Sequence, residues 1–209
     1  MSQPNSRNVF ISFRFEDGND YKDKLSKLFD ANVDTIDYSE DVNRTKMSEP
    51  VIKEHLYKKL KRSSVTIISL TPKAVSYKID IHGNIDDWIY DEVRYSLEDR
   101  ENNRTNGLIA VYVPEAKDLL LRANQHKCDK CTGYQITTIF EQENLFRKNM
   151  MNVKEKFKKN MCANIYNSDF DSFCSLISLD QFEKNISRYI DIAIQKRENI
   201  EQYNITKHL

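Results

Sequence analysis

Three short stretches of this chain carry residue types at spacings that suit chemistry. In Asp86-Asp87-Trp88-Ile89-Tyr90-Asp91-Glu92, Glu92 follows Trp88 by four positions, one turn of an α-helix, so the carboxylate stacks beside the indole. A carboxylate sheltered by an aromatic ring can stabilise positive charge as it develops in a reacting group. Phe13-Arg14-Phe15 sets a guanidinium between two aromatic rings, a combination suited to a phosphate and a planar ring system. His126-x-Cys128-x-x-Cys131 has the start of a zinc-site spacing. The two remaining cysteines, Cys162 and Cys174, are too far apart to supply a second Cys-x-x-Cys pair, so unpaired thiols are the better reading and no metal is expected.

The elements that would position these residues follow from apolar periodicity. Val9–Phe13 is a short apolar run after a polar start and reads as a buried strand; Phe13–Asp17 would emerge from its end. Residues 20–30 carry Tyr21, Leu25, Leu28 and Phe29 at helical spacing, with Asp20 as the candidate cap. Residues 33–38 form a weaker, half-polar strand, and a polar segment, 39–50, leads to a helix over about 51–62 with Pro50 in its first turn. Val65–Leu70 is the clearest buried strand, the Trp88 stretch opens the next helix with Asp86 or Asp87 as cap, and Gly107–Val113 is a further strand stopped by Pro114. Within that helix Ile89, Val93 and Leu97 mark the buried stripe, with Trp88 and Glu92 just beside it. On periodicity alone the better reading of Glu92 is a solvated charge on the helix face.

This β-α-β-α-β-α-β order predicts an α/β fold, a doubly wound, mainly parallel sheet of flavodoxin-like order 2-1-3-4-5. A ligand then sits where the order reverses, between the first and third strands. The core spans 8–114; about 115–170 reads as an irregular insertion, partly helical up to 135, with a long basic helix over 141–161. A closing strand near 176–179 and a helix over 181–197 complete a single domain.

Composition limits the function classes. Lys plus Arg equal Asp plus Glu at 32 each, so no global field draws the chain to nucleic acid or an anionic membrane. The basic run 154–159 is expected to be the wet face of a helix, without an aromatic platform for RNA. The four glycines lie far apart and cannot assemble a GxGxxG turn or a phosphate-binding P-loop. No stretch is long and apolar enough to span a membrane, and a cytoplasmic protein is expected. A phosphoreceiver domain is excluded, because the third strand ends Ser69-Leu70-Thr71-Pro72 with no acceptor aspartate.

Taken together, FISFRFED at 10–17, the 39–50 loop, TIISLTP at 66–72 and DDWIYDE at 86–92 resemble a Toll/interleukin-1 receptor (TIR) domain. The Trp-x-x-x-Glu spacing is similar to that of TIR domains that cleave NAD+. The closing SLISLDQFEKNISRYIDIAIQKR resembles the end of the TIR-like proteins of bacterial Thoeris anti-phage systems, the ThsB component. The resemblance implies an enzyme that consumes NAD+ as substrate, without a resident cofactor, and makes a cyclic or conjugated ADP-ribose signal for a separate effector protein. It also implies self-association through TIR contacts. It gives Glu92 the catalytic position, puts Phe13, Arg14 and Phe15 at the nucleotide with Trp88, and makes 39–50 the loop after the second strand, where Ser48 is a candidate contact. This sequence lacks the glycine common in that loop. Two other readings of the same resemblance are an interaction module that assembles without catalysis and a plain NAD hydrolase acting as a toxin.

One carboxylate is enough for such a reaction. Nicotinamide leaves a pyridinium as a neutral molecule and needs no proton, so the acid of a glycosidase pair becomes dispensable while the oxocarbenium-like transition state still needs a counter-charge.

Overall fold

The computed structural model describes residues 7–30, 35–37, 49–76, 78–82, 85–99, 104–128, 131–138, 144–159, 162 and 165–209, with backbone alone at 35–37, 49, 122–128 and 131–138. Strand β1 (Arg7–Ser12) leads into α1 (Phe15–Asp30), β2 (Thr35–Asp37), α2 (Glu49–Arg62), β3 (Val65–Leu70), α3 (Trp88–Leu97) and β4 (Gly107–Tyr112). Short helical turns follow at Pro114–Ala116 and in α4 (Lys117–Leu120). A hairpin comes next, β5 (Leu121–Cys128) with β6 (Cys131–Thr138), then α5 (Leu145–Lys148), β7 (Cys174–Ser178), α6 (Leu179–Lys184) and α7 (Ile186–Glu198).

Five strands form one sheet of order β2-β1-β3-β4-β7, every neighbouring pair parallel. This is the doubly wound order expected, and it reverses between β1 and β3. The reason is composition: all six β3 residues are buried, as are the first five of β4, so both strands need helices on both faces. Gly107 at the start of β4 is required by α7, since a Cβ there would lie 2.4 Å from the Ala193 carbonyl oxygen. No helix among the described residues is long and apolar enough to cross a membrane.

Four expectations need correction. Helix α1 begins at Phe15, so Asp20 lies inside it and is not its cap. The segment after residue 114 is largely a β-hairpin, with Leu121 paired to Thr138 through to Cys128 opposite Cys131. Its residues are polar on both faces, so no period-two signal marks them. The long helix over 141–161 is absent: α5 stops after one turn, and Met151 follows at a φ of 50°. Asn149 draws the chain away, its amide donating to the Leu145 and Thr206 carbonyls while its oxygen accepts from Thr206 N. The closing helix is two, broken at Asn185, which leaves helical geometry at φ −146°, ψ 42°.

The basic run also gains aromatic neighbours. Lys158 Nζ lies 3.9 Å from the Tyr166 ring centre and Lys159 Nζ 4.7 Å from that of Phe170. His126, Cys128 and Cys131 fall on the β5–β6 hairpin, with side chains outside the described set. Cys162 and Cys174 are buried and neither is in a disulfide.

Candidate active site

The C-terminal edge of β1 and β3 is where α1 and α3 begin, so the loops leaving both strands share one rim. An ion pair ties them together. Arg14, just past β1, donates to the Asp87 carboxylate and to the Ser76 carbonyl (3.3 Å). Asp87 is also the N-cap of α3: one oxygen accepts from Ile89 N at 2.9 Å and Tyr90 N at 3.4 Å, while the other takes Lys78 N at 2.8 Å. Arg14 and Asp87 are 5% exposed each, so the pair is buried. It fixes the first turn of α3, and with it Trp88, against the end of β1.

A second carboxylate braces the rim from the other strand. Asp17, in the first turn of α1, accepts from Thr71 Oγ1 at 2.7 Å and Lys73 N at 2.9 Å, both in the loop after β3. At the mouth, Lys78 pairs with Glu16 and holds its carboxyl below the ordinary range. The aromatic wall is more open. Phe15 is 57% exposed, with its ring centre 6.3 Å from that of half-buried Phe13, and Trp88 is 37% exposed under Lys53 Nζ, 5.6 Å from its ring.

Glu92 lies one turn deeper and is buried, at 7% exposure. Its height follows from two ladders that run side by side. On β1, Phe10 packs with Leu56, Leu60 and Tyr95, so the even-numbered residues, Phe10 and Ser12, face α2 and α3. Register pairs Phe10 with Thr66 and Ser12 with Ile68. Thr66 meets Ser96 of α3, Oγ1 to Oγ 2.7 Å. From that level Ser12 and Ile68 stand two strand residues nearer the rim, about 6.6 Å. Helix α3 runs back from the rim, so Glu92 stands four helical residues nearer the rim than Ser96, about 6 Å. Glu92 and Ser12 therefore occupy the same level of the layer between sheet and helix.

The level beneath is fixed by a chain of hydrogen bonds whose direction is determined at both ends. The Asn106 amide donates to Thr66 Oγ1 at 3.2 Å, Thr66 donates to Ser96 Oγ, and Ser96 donates to the Glu92 carbonyl at 2.7 Å. An amide nitrogen can only donate and a carbonyl only accept, so both hydroxyls point one way and pin the turn that carries Glu92.

The structure thus brings Phe13, Arg14, Phe15, Trp88 and Glu92 to one rim. Ser48 lies outside the described residues. The guanidinium that would hold a phosphate already pairs with Asp87. Sequence reasoning missed Ser12, Asp17 and Lys78; an isolated serine closing an apolar strand was the only local signal for Ser12. Two cavities, of about 240 and 220 Å³, lie against β7 and α7. At this rim Ser12 is fully buried and Glu92 nearly so.

Comparison with known families gives one match: the family described as Thoeris protein ThsB, TIR-like domain, fits residues 10–118, from β1 through the turn after β4. That is more than half of the chain and includes every rim residue named above. No curated protein matches the chain.

Proposed function

This chain belongs to the Thoeris ThsB family of TIR-like proteins, a defence-related TIR module, and from that premise we propose that it is an enzyme that cleaves NAD+. Its product is a cyclic or conjugated ADP-ribose that activates a separate effector protein in the cytoplasm. The observation that carries the reading is Glu92: a carboxylate buried beneath Trp88, level with the end of β1, at the point where strand order reverses.

Chemistry follows from that position. With the nicotinamide ribose in the crevice, Glu92 faces the anomeric carbon and its hydroxyls and stabilises the oxocarbenium character as nicotinamide departs. Trp88 keeps water from that carbon, which strengthens the field of the carboxylate. Phe13 and Phe15 offer faces to nicotinamide or adenine, and Arg14 contributes positive charge toward the pyrophosphate, although most of that charge is spent on Asp87. Ser48 is a further candidate contact, from the loop after β2. Attack on the anomeric carbon by water gives ADP-ribose, by a nucleophile of the same molecule a cyclic product, and by another small molecule a conjugate. Association of two or more copies through their TIR surfaces is the assembly this reading favours.

The test is nicotinamide release from NAD+ by the full chain, with and without lysate of phage-infected cells, for wild type and Glu92→Gln. Loss of the carboxylate should lower the triggered rate by about 10²–10³, the scale of one lost preorganised stabilising group. Equal triggered rates for the two proteins would leave an interaction module as the surviving reading.

A further inference from the structure

Resting on the enzyme reading above, we propose that Ser12 is a substrate-binding residue whose Oγ takes one hydroxyl of the ribose that Glu92 holds. Nothing in the Trp-x-x-x-Glu pattern or in the aromatic stretch after β1 points to this serine; the packing does. Ser12 is 0% exposed, and its Oγ has no hydrogen-bond partner among the described residues. A buried hydroxyl without a partner works against the fold, and alanine would fill the same strand position without that penalty.

The hydroxyls next to the orphan have partners. One level deeper, on the same faces of β3 and α3, the Thr66 and Ser96 hydroxyls are both engaged in the chain that ends on the Glu92 carbonyl. One level nearer the rim, Arg14 lies on the same face of the chain, and its Nε is likewise buried without a partner. Ser12 Oγ and Arg14 Nε, two of the buried polar atoms without a partner among the described residues, lie on the rim side of the Thr66–Ser96 level, whereas a third, Asn106 Oδ1, lies at it. A hydroxyl both donates and accepts, and a ribose offers vicinal hydroxyls, so Glu92 can accept from one while Ser12 pairs with its neighbour.

The test uses the full chain in the Glu92→Gln background, where turnover does not consume the probe. Binding of NAD+ and of ADP-ribose is measured by calorimetry with Ser12 present and with Ser12→Ala, and the thermal midpoint of each protein is recorded. Losing one hydrogen bond to the ligand should weaken binding about tenfold, while the thermal midpoint stays level or rises because an unmet hydroxyl has been removed. Unchanged affinity in Ser12→Ala would overturn the proposal and leave the enzyme reading standing, since the nucleotide still binds. A clear fall in the midpoint would also overturn it, by showing that the hydroxyl has a partner within the protein. If Glu92→Gln binds neither probe and the wild type does not bind ADP-ribose either, the enzyme reading falls and Ser12 falls with it.

Discussion

Arg14 and Lys196, two of the buried cations among the described residues, lie one at each side of the sheet and are neutralised in different ways. Arg14, at the β1–β3 rim, faces a carboxylate: Asp87, itself shielded from water. Lys196 of α7, 3% exposed behind β7, is held by neutral oxygens, with its Nζ donating to the Ser168 carbonyl at 2.7 Å and Ser175 Oγ at 2.6 Å. Burial drives the Lys196 ammonium down from its ordinary 10.5 to about 8, against the pull of Cys174, Asp169 and Asp171. The contrast teaches what each is for. The charge-paired arginine joins the end of β1 to the first turn of α3. A lysine held by dipoles secures the edge strand, but its hold is sensitive to pH.

The sharpest way to break the comparison is to remove the carboxylate. Asp87→Ala should destabilise the fold by about 3–5 kcal/mol, because it leaves a buried guanidinium uncompensated. It also removes the cap of α3. Asp87→Asn keeps an acceptor for the cap and loses only the charge, so it should fall between Ala and wild type; the cap by itself is worth about 1 kcal/mol. Urea unfolding of the three proteins reads both differences. If Ala and Asn cost the same and no more than a cap, the ion pair contributes little and the rim is held by packing.

How far these features could be read in advance depends on the range of the interactions behind them. The strand order was legible because Val9–Phe13, Val65–Leu70 and Gly107–Val113 are apolar runs, and burial of such runs on both faces leaves few topologies. The placement of Glu92 one turn from Trp88 was legible because helical spacing is local. The Arg14–Asp87 pair was not: it joins residues 73 positions apart, and only the fold brings them together. Ser12 was invisible for the same reason, since a buried hydroxyl becomes informative only when its missing partner is seen. The β5–β6 hairpin and the abrupt end of α5 escaped because polar side chains, Asn149 above all, direct the chain there and apolar periodicity does not.

A change of pH sharpens the comparison from the other side. Below about 8 Lys196 is protonated in both folded and unfolded chains. Between about 8 and 10.5 the unfolded chain holds the proton that the folded one has released, so stability rises with pH. The shift corresponds to on the order of 3 kcal/mol at most. Cys174 acts oppositely: burial raises its thiol from 9.0 to about 12, so from pH 9 the unfolded chain loses a proton that the folded one keeps. The Tyr203 hydroxyl, pushed up to about 12, adds to the loss above 10. Unfolding free energy measured against pH should rise from 8 to 9, level off to about 10, and fall beyond. Lys196→Met should abolish the rise and leave the fall; a rise that persists would assign it to another group.

The smallest effect isolates one dipole. Ser175→Ala removes one of the two oxygens that hold the Lys196 ammonium while leaving the Ser168 carbonyl in place. A hydrogen bond to a charged group contributes about 1.5–3 kcal/mol, and part of this returns here because the amine can release its proton. The cost at pH 7 should therefore be about 1 kcal/mol. The amine, having lost an acceptor, should release its proton more readily, so the rise in stability should begin below pH 8. That shift is the decisive readout. A uniform loss of stability at every pH would mean that Ser175 serves only to pack β7, whereas an earlier rise identifies it as half of the cradle that does for Lys196 what Asp87 does for Arg14.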